Sequence, residues 1–418
     1  MEAVMGFTKK QVNHVIHAFK NNDFYIQLAK SEKFDIDKIN LQTDWNKVPI
    51  ITKKMLLENE ECIINHEYIA LLYEGKLSRT YTSGSAGDFV EVYWRQEDYN
   101  HSLFPLWTYR LKEYGIKPDD RLCYFYTTRQ PGKEENWYEY TKSRLGFCKS
   151  DINEKRLQQI YEKIYDFSPK WLLLQPSMVS LLCMIKRKFQ LPDLDNLRYI
   201  ELTGELLTED LRKEIENVFS CPVVNQYGSN EVNSIAYECK NKHFHVMEQN
   251  VYVEILDESN TPVFDKEGEI CVTSFVNKAM PIIRYKIGDR GIIRTSSCSC
   301  NMAGRILELT KARSNDWIIL EQGIKVSPYT LLKIIENINW QTDNGIYQFR
   351  FIQKSTKEII VKLVLDEDIF SEDVENLFFS NLSQNNLRKI NYIFEYYDYI
   401  PINENTGKLA WFESEVRE

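Results

Sequence analysis

The stretch "LRYIELTGELLTEDLRKEIENVFSCPVVNQYG", residues 197–228, decides the fold of this chain. It begins with a short apolar run, turns at Thr203-Gly204, continues with apolar residues at helical spacing and ends in a second apolar run. This order predicts a strand, a loop, a helix and a second strand. Such alternation is typical of an α/β domain with a largely parallel sheet.

The sequence before this stretch continues the pattern. Residues 1 to about 75 are predicted to be helical, and 97–114 form a further predicted helix. A strand is predicted at 121–128, an amphipathic helix at 151–167, and a strand, turn and helix over 169–189. The alternation of strands and helices therefore reaches well upstream of residue 197.

The composition changes twice in the second half of the chain. From about 250 to 312, short apolar runs broken by Gly, Asn and Pro predict a β-rich subdomain. From 313 to 418, strands and helices alternate again and predict a small α+β C-terminal domain. The predicted fold class is α/β, with an N-terminal core of parallel-rich sheets plus the β-rich subdomain over 1–312.

Bulk composition excludes several classes of partner. The 418 residues carry a net charge of −9, whereas a nucleic-acid partner calls for a basic face. No window approaches the run of about 18 apolar residues that spans a membrane, so no membrane partner is expected. The N-terminus lacks the features of a signal peptide, so we expect a cytoplasmic protein whose nine cysteines are reduced. We expect it to be a monomer or a homodimer.

A loop of small and hydroxylated residues precedes a predicted strand in "RTYTSGSAGDFVEVYW", residues 79–94. Such a loop can present several backbone N–H groups and hydroxyls to an anion. It is not the common nucleotide loop, because no lysine follows Gly87. Taken alone, the composition of the stretch favours an ordinary Ser/Gly turn.

Five further stretches follow this loop in a fixed order: "LTGELL" (202–207), "NQYGSNE" (225–231), "YKIGDRG" (285–291), "KARSNDWI" (311–318) and "NENTGKLA" (403–410). With them, residues 45 to 412 resemble the adenylate-forming superfamily of acyl-CoA synthetases and peptide-synthetase adenylation domains. Within that superfamily, "AMPIIRYKIGD" (279–289), "GELLTEDLRKEIENVF" (204–219) and the short length resemble the phenylacetate–CoA ligase branch.

The resemblance implies an enzyme that activates a carboxylic acid with ATP and Mg²⁺, releases pyrophosphate and forms an acyl-adenylate. The acyl group would then pass to a thiol, that of coenzyme A or of a carrier protein. It also implies that the C-terminal domain is a mobile lid, which closes for the first step. Gly323 matches the loop that members of the family rotate in to form a thioester tunnel.

The family's motifs carry over residue by residue. The phosphate loop matches Thr82, Ser83, Gly84, Ser85 and Gly87. Here Ala86 replaces the usual threonine, and Asp88-Phe89 stand where a lysine is often found, so the resemblance implies a phosphate grip that relies more on backbone amides.

Further matches imply contacts with the nucleotide. Tyr227 and Gly228 match the motif whose tyrosine stacks on adenine, and Glu231 matches the ligand of Mg²⁺, an ion that prefers oxygen ligands. Gly204 and Glu205 match the loop that lies along the adenine.

The remaining matches concern the ribose, the hinge and the lid. Asp289 matches the residue that binds both ribose hydroxyls, and a carboxylate accepting two O–H bonds suits that diol. Arg313 matches the arginine that reaches the ribose or a phosphate. The hinge matches Asn315 and Asp316, although the family usually has an acidic residue at the first position. Lys408 matches the lysine that the lid brings to the α-phosphate and the carboxylate.

A second constellation lies outside these motifs. Cys239, His245, Cys298 and Cys300 supply three thiols and an imidazole, a reasonable tetrahedral set for a structural Zn²⁺. Some members of the phenylacetate–CoA ligase branch carry a similar site. The alternative is four unrelated residues, since cysteines are often simply buried.

The acid itself is not identified by the sequence. A segment rich in aromatic residues, which include Trp137, Tyr138 and Tyr140, is the expected wall of the acyl pocket and favours an aryl acid. An amino or hydroxy acid is the second choice, and an amine could replace the thiol as acceptor. An adenylyltransferase that stops after transferring AMP, and a non-catalytic relative, remain open as alternatives.

Overall fold

The structure is a computed structural model that describes residues 6–60, 62–81, 90–126, 137–149, 152–313, 317–342, 345–382, 386–401 and 409–416. Helices and strands alternate through most of it, and the α/β fold class predicted from the sequence is confirmed.

Eleven α-helices lie in the described part of the chain: α1 (Lys9–Asn21), α2 (Asp23–Ser31), α3 (Lys53–Leu57), α4 (Ile69–Tyr73), α5 (Gln96–Ser102), α6 (Phe104–Tyr114), α7 (Glu154–Phe167), α8 (Pro176–Lys188), α9 (Glu209–Phe219), α10 (Tyr329–Gln341) and α11 (Ser371–Asn381). The single helix predicted over 97–114 is wrong, because the chain breaks at Leu103 between α5 and α6. Pro105 explains the break, since proline lacks the N–H that a continuous helix needs and fits only in a first turn.

The same part of the chain contains twenty strands: β1 (Leu77–Tyr81), β2 (Glu91–Arg95), β3 (Leu122–Tyr126), β4 (Tyr138–Tyr140), β5 (Arg144–Cys148), β6 (Trp171–Leu174), β7 (Tyr199–Thr203), β8 (Val223–Ser229), β9 (Asn233–Glu238), β10 (Phe244–Val246), β11 (Val251–Leu256), β12 (Gly268–Ser274), β13 (Tyr285–Arg294), β14 (Ile306–Arg313), β15 (Ile318–Ile319), β16 (Lys325–Val326), β17 (Ile346–Ser355), β18 (Glu358–Leu365), β19 (Asn391–Tyr396) and β20 (Phe412–Ser414).

The chain folds into two compact units, each built from two separate pieces of sequence. The first unit contains Met1–Tyr109 and Gln226–Ser314, and the second contains Arg110–Asn225 and Asn315–Glu418. The sequence instead predicts two continuous domains that meet between residues 312 and 313, and this division stays a prediction.

The first unit is built on antiparallel strands. Their order is β11-β12-β13-β14-β10-β9-β8, and β1 and β2 form a separate antiparallel hairpin. Its apolar core joins α1 and α2 to the inward faces of β2, β11, β12 and β13. The strands predicted after residue 250 are therefore present and antiparallel.

A buried ion pair fixes the start of β13. The Arg284 guanidinium donates to both oxygens of Glu254, at 3.1 and 3.0 Å, and to the carbonyl oxygen of Val48 at 2.6 Å. Trp45 Nε1 donates to the same carboxylate at 2.8 Å. Both charged side chains are only 1% exposed, so the pair holds the "RYKIGD" segment firmly against the N-terminal region.

The second unit contains the parallel sheet. β7, β6, β3 and β5 are parallel neighbours in that order, and β4 adds an antiparallel edge. Helix α8 is the most deeply buried helix of this region, with every residue from Pro176 to Ile185 buried. Arg110 Nε donates to Glu201 on β7 at 2.8 Å, which pairs two charges inside this layer.

The C-terminal part of the second unit has a small α+β fold, as predicted. Its strand order is β19-β18-β17-β20, and α10 and α11 pack on it through a core of their own. Tyr347, Val364 and Ile400 instead join the apolar core around α7 and α8. Ser180 Oγ on α8 donates to the carbonyl oxygen of Tyr347 at 2.8 Å, so this sheet lies on α8.

Among the described helices, none is long and apolar enough to cross a membrane.

Candidate functional site

The loop matched to the phosphate loop connects β1 and β2. Thr82, Ser83, Gly84, Ser85 and Gly87 lie outside the described residues. The flanking strands are in register, with Tyr81 opposite Glu91. From β2, Trp94 Nε1 donates to the carbonyl oxygen of Asn230 at 3.2 Å. The strand after the loop therefore contacts the turn that precedes Glu231.

The β8–β9 hairpin carries the tyrosine and glutamate of "NQYGSNE". Gly228 is required at this hairpin, because a Cβ there would lie 2.4 Å from the carbonyl oxygen of Asn233. The hairpin places the Tyr227 hydroxyl 2.8 Å from Asp289 Oδ2, to which it donates. Two motifs that are 62 residues apart thus meet in one hydrogen bond.

Asp289 lies at a bend in β13. Its neighbour Gly288 has a φ of +86°, a conformation that favours glycine, and the register of β13 with β14 shifts just after Asp289. Arg313 is its partner in that register, although the arginine side chain lies outside the description. The backbone thus brings Asp289 and Arg313 to facing positions on adjacent strands.

Glu231 is buried, with 5% of its surface exposed, and its Oε1 accepts a hydrogen bond from the Tyr285 hydroxyl at 3.1 Å. Burial, the negative charge of Glu231 and this hydrogen bond together raise the pKa of Tyr285 above its usual value, so the phenol stays a donor. One phenol occupies only part of the capacity of a carboxylate, which can accept about four bonds, and the rest suits a cation. Sequence reasoning missed Tyr285, although it opens the "YKIGD" motif.

Glu205 belongs to the second unit. Its carboxylate accepts three hydrogen bonds: from Ser177 N at 2.9 Å, from Ser177 Oγ at 3.0 Å and from Leu409 N at 2.8 Å. Gly204, with a φ of +85°, forms the turn before it. Ser177 was also missed, because "QPS" at the start of α8 is typical of an ordinary helix beginning.

The remaining predicted residues of the lid and hinge cannot be placed. Lys408, Asn315 and Asp316 lie outside the described residues. Leu409, which follows Lys408 in the chain, lines a cleft with an empty volume of about 670 Å³ between α8, α9 and the C-terminal sheet.

The aromatic residues expected at the acyl pocket lie at the edge strand β4. The Trp137 ring stacks on Phe147, with centroids 5.9 Å apart, and the Arg156 guanidinium lies 4.1 Å from its centre. Lys163 is 4.1 Å from the centre of the Tyr138 ring, and Tyr140 is 66% exposed. None of the three lines the cleft described above, and their role in acid binding stays a prediction.

The four residues predicted to form a metal site come together in the first unit. Their ligand atoms all lie within 4.8 Å of one another. Cys239 Sγ is 3.8 Å from Cys298 Sγ, and Cys300 Sγ is 3.2 Å from His245 Nε2. Cys239 follows β9, His245 is on β10, and both other cysteines lie between β13 and β14.

Groups around this cluster suit a metal centre. His245 Nδ1 lies 3.2 Å from the carbonyl oxygen of Gly304, which makes Nδ1 the donor and leaves Nε2 free to bind a cation. Burial raises the pKa of the Cys239 thiol. Burial acts in the same sense on Cys298, but hydrogen bonds, the largest from His243, outweigh it and lower the pKa of that thiol.

The chain is similar to known proteins over most of its length. The family model for AMP-binding enzymes matches residues 79–276, and the model for the CapK C-terminal domain matches 318–415. Protein CapK of Staphylococcus aureus is 25% identical over 399 residues, 91% of this chain and 83% of that protein. Phenylacetate-coenzyme A ligase of Escherichia coli K12 is 26% identical over 331 residues, 75% of this chain and 72% of that enzyme.

A solved structure shares the fold across nearly the whole chain. 2-Hydroxyisobutyryl-CoA ligase in the postadenylation state has a TM-score of 0.72 at 14% identity, over 97% of this chain and 88% of that one. Its thioesterification state has a TM-score of 0.61 at 16% identity over the same shares. With the ordered motifs, these matches support the adenylate-forming superfamily, and its phenylacetate–CoA ligase-like branch, as the family that this chain resembles.

Proposed function

We propose that this protein is an AMP-forming acid–thiol ligase. In the first half-reaction, an oxygen of the acid attacks the α-phosphorus of ATP, and the bond to the bridging oxygen breaks as pyrophosphate leaves. In the second, a thiol loses its proton to solvent, its sulfur attacks the acyl carbon, and AMP leaves. The observation that carries the proposal is the convergence of Tyr227, Asp289, Tyr285 and Glu231 in one unit.

Each of these four residues would have its own role in binding ATP and Mg²⁺. Asp289, already the acceptor of one hydroxyl, would accept hydrogen bonds from the ribose, and Tyr227 would be held by it as a flat surface for adenine. Glu231 would hold Mg²⁺, which when bound offsets charge that builds up on the phosphates. Tyr285 would keep the Glu231 carboxylate in one orientation.

The substrate and the acceptor are the finer parts of the proposal. An aryl acid is the first candidate, supported by the phenylacetate-coenzyme A ligases among the relatives. Coenzyme A, a ligand named for those relatives, is the first candidate for the thiol. A carrier-protein thiol is the second.

One assay tests the proposal and narrows the acid. Pyrophosphate release from ATP and Mg²⁺ would be measured across aryl, fatty, hydroxy and amino acids, with hydroxylamine present. Acid-dependent release with formation of a hydroxamate is the expected result, because hydroxylamine traps only an activated acyl group. Release without hydroxamate would point to an adenylyltransferase. Silence across the panel, with ATP still bound, would point to a non-catalytic relative.

We further propose that the Cys239, His245, Cys298 and Cys300 cluster holds a structural Zn²⁺. Three thiolates and an imidazole form a closed tetrahedral set, and a closed set has no open position for catalysis. The ion would tie the end of β9 to the loop between β13 and β14. The fixed tautomer of His245 is the observation that supports a metal over four merely buried side chains.

Substitution of a zinc ligand should lower stability and metal content together. Purified protein is expected to contain one zinc per chain by elemental analysis, and Cys300→Ser should lose it. The variant should lose about 3 kcal/mol, roughly 6–12 °C in Tm for a unit of this size. Cys62→Ser is the matched control, since Cys62 lies outside the cluster. Zinc-free wild-type protein with an unchanged Tm would contradict the proposal.

A further inference from the structure

The four ligands of the proposed zinc cluster are not equally shielded from solvent. Cys239, His245 and Cys300 are buried, whereas Cys298 is half-buried. Water and competing ligands can reach a metal ion only past a ligand that is itself accessible, because the shell around a site controls access to it. Cys298 is therefore the ligand at which an ion held here would exchange.

The hairpin turn between β9 and β10 contacts the sulfur of this one ligand. The turn spans residues 239–243, with the sequence "CKNKH". Asn241 Nδ2 donates to Cys298 Sγ at 3.4 Å, and His243 Nδ1 lies 3.2 Å from the same sulfur. At the start of the turn, Cys239 Sγ lies 3.8 Å from it. Three side chains of one short turn thus contact a single atom.

The backbone of the turn fixes these side chains in place. Cys239 N donates to the carbonyl oxygen of His243 at 2.9 Å, and Lys242 N donates to that of Cys239 at 2.8 Å. Lys242 has a φ of +61°, a conformation that residues other than glycine adopt rarely. Asn241 Nδ2 also donates to Ser299 Oγ at 3.1 Å, which joins the turn to the loop between β13 and β14. The two nitrogen donors are therefore held close to the sulfur.

We propose that Asn241 and His243 are positioning residues for the metal, which cap the Cys298 thiolate and slow the loss of the ion. This inference rests on the proposed zinc site and adds two residues to it. His243 is not a member of the group whose ligand atoms lie within 4.8 Å of one another. It therefore contacts the sulfur from outside the coordination set and is not a fifth ligand.

The chemistry of a metal-bound thiolate determines what these two side chains do. Such a sulfur can only accept hydrogen bonds, so His243 presents a protonated Nδ1 to it and Asn241 presents an amide N–H. The two donors hold the sulfur in one orientation, as outer groups do for other metal ligands. Without them the accessible sulfur would turn towards solvent more often, and each such turn would open the ion to a competing ligand.

The test measures the rate at which the zinc-loaded full chain loses its metal to an excess of a coloured chelator such as pyridylazoresorcinol. Asn241→Leu and His243→Phe each remove one donor and should each release zinc about tenfold faster than wild type. His243→Asn should restore slow release, because an asparagine amide nitrogen can take the place of Nδ1. Lys242→Asn is the matched control: it changes the same turn, asparagine tolerates a positive φ, and Lys242 is exposed and outside the cluster.

Cobalt in place of zinc separates a positioning role from the loss of a ligand. Bound Co²⁺ absorbs through charge transfer from thiolates, and the intensity reports how many thiolates bind it. His243→Phe and Asn241→Leu should keep the wild-type intensity, whereas Cys298→Ser should lower it. Lower intensity in His243→Phe, release as slow as in wild type in both donor variants, or equally fast release in Lys242→Asn would overturn the positioning role. Failure of the proposed zinc site would instead appear as wild-type protein that binds neither metal.

Discussion

Replacing Lys408 by alanine is expected to reduce acid-dependent pyrophosphate release by about 10³-fold, which corresponds to about 4 kcal/mol of transition-state stabilisation. Negative charge grows on the α-phosphate oxygens as the acid attacks, and a cation positioned there stabilises that state more than the ground state. The binding of ATP alone should change little, because the motifs on β8 and β13 would carry it. Timed pyrophosphate assays measure the rate of release, and equilibrium dialysis measures the affinity for ATP.

The matched control is Lys357→Ala, which removes an exposed lysine of the same C-terminal sheet. Lys357 is 68% exposed and pairs with Glu321, which is 62% exposed, at 2.8 Å. Lys408→Arg should recover little activity, since a planar guanidinium does not reproduce a compact ammonium. Full activity in Lys408→Ala would rule out the mechanism proposed here, whatever acid is the substrate.

Replacing Glu231 by glutamine is expected to lower the same rate by about 10²-fold and to raise the Mg²⁺ concentration needed for half-maximal rate. Glutamine keeps the size of the side chain and an acceptor for the Tyr285 hydroxyl, so the loss reports the missing charge. Rates measured over a Mg²⁺ titration give both values.

Tyr285→Phe separates orientation from charge at this carboxylate. It removes only the hydroxyl 3.1 Å from Glu231 Oε1, and the rate should fall by about tenfold or less, as for one neutral-donor hydrogen bond. Wild-type Mg²⁺ dependence in Glu231→Gln would assign the buried glutamate a purely structural role.

The sequence predicts the elements and the order of the motifs better than it predicts their contacts. The strand and helix pattern around 197–228 appears as β7, α9 and β8, because hydrophobic periodicity is a local property. The spacing of Cys239, His245, Cys298 and Cys300 suggests a cluster, and the structure brings the four ligand atoms together. Metal binding by them stays a prediction.

The contacts that the sequence does not predict join residues that are far apart in the chain. Nothing near Tyr227 indicates that its hydroxyl meets Asp289, and nothing near Ser177 indicates that it donates to Glu205. Such pairs follow from strand register and helix placement, which only the folded chain sets. The division into two units built from separate pieces has the same origin, since apolar residues of 346–400 complete a core begun by α7 and α8.

That discontinuous construction has a consequence for synthesis. Both segments of the first unit have been synthesised once the ribosome passes residue 314. Residues 110–225 of the second unit are synthesised before that point, but their partner segment, 315–418, is synthesised last. Until Tyr347, Val364 and Ile400 emerge from the ribosome, apolar side chains on α7 and α8 lack part of their cover. Strand β20 joins β17 later still, at Phe412. A nascent chain paused between 225 and 346 would be the form most exposed to chaperones and to aggregation.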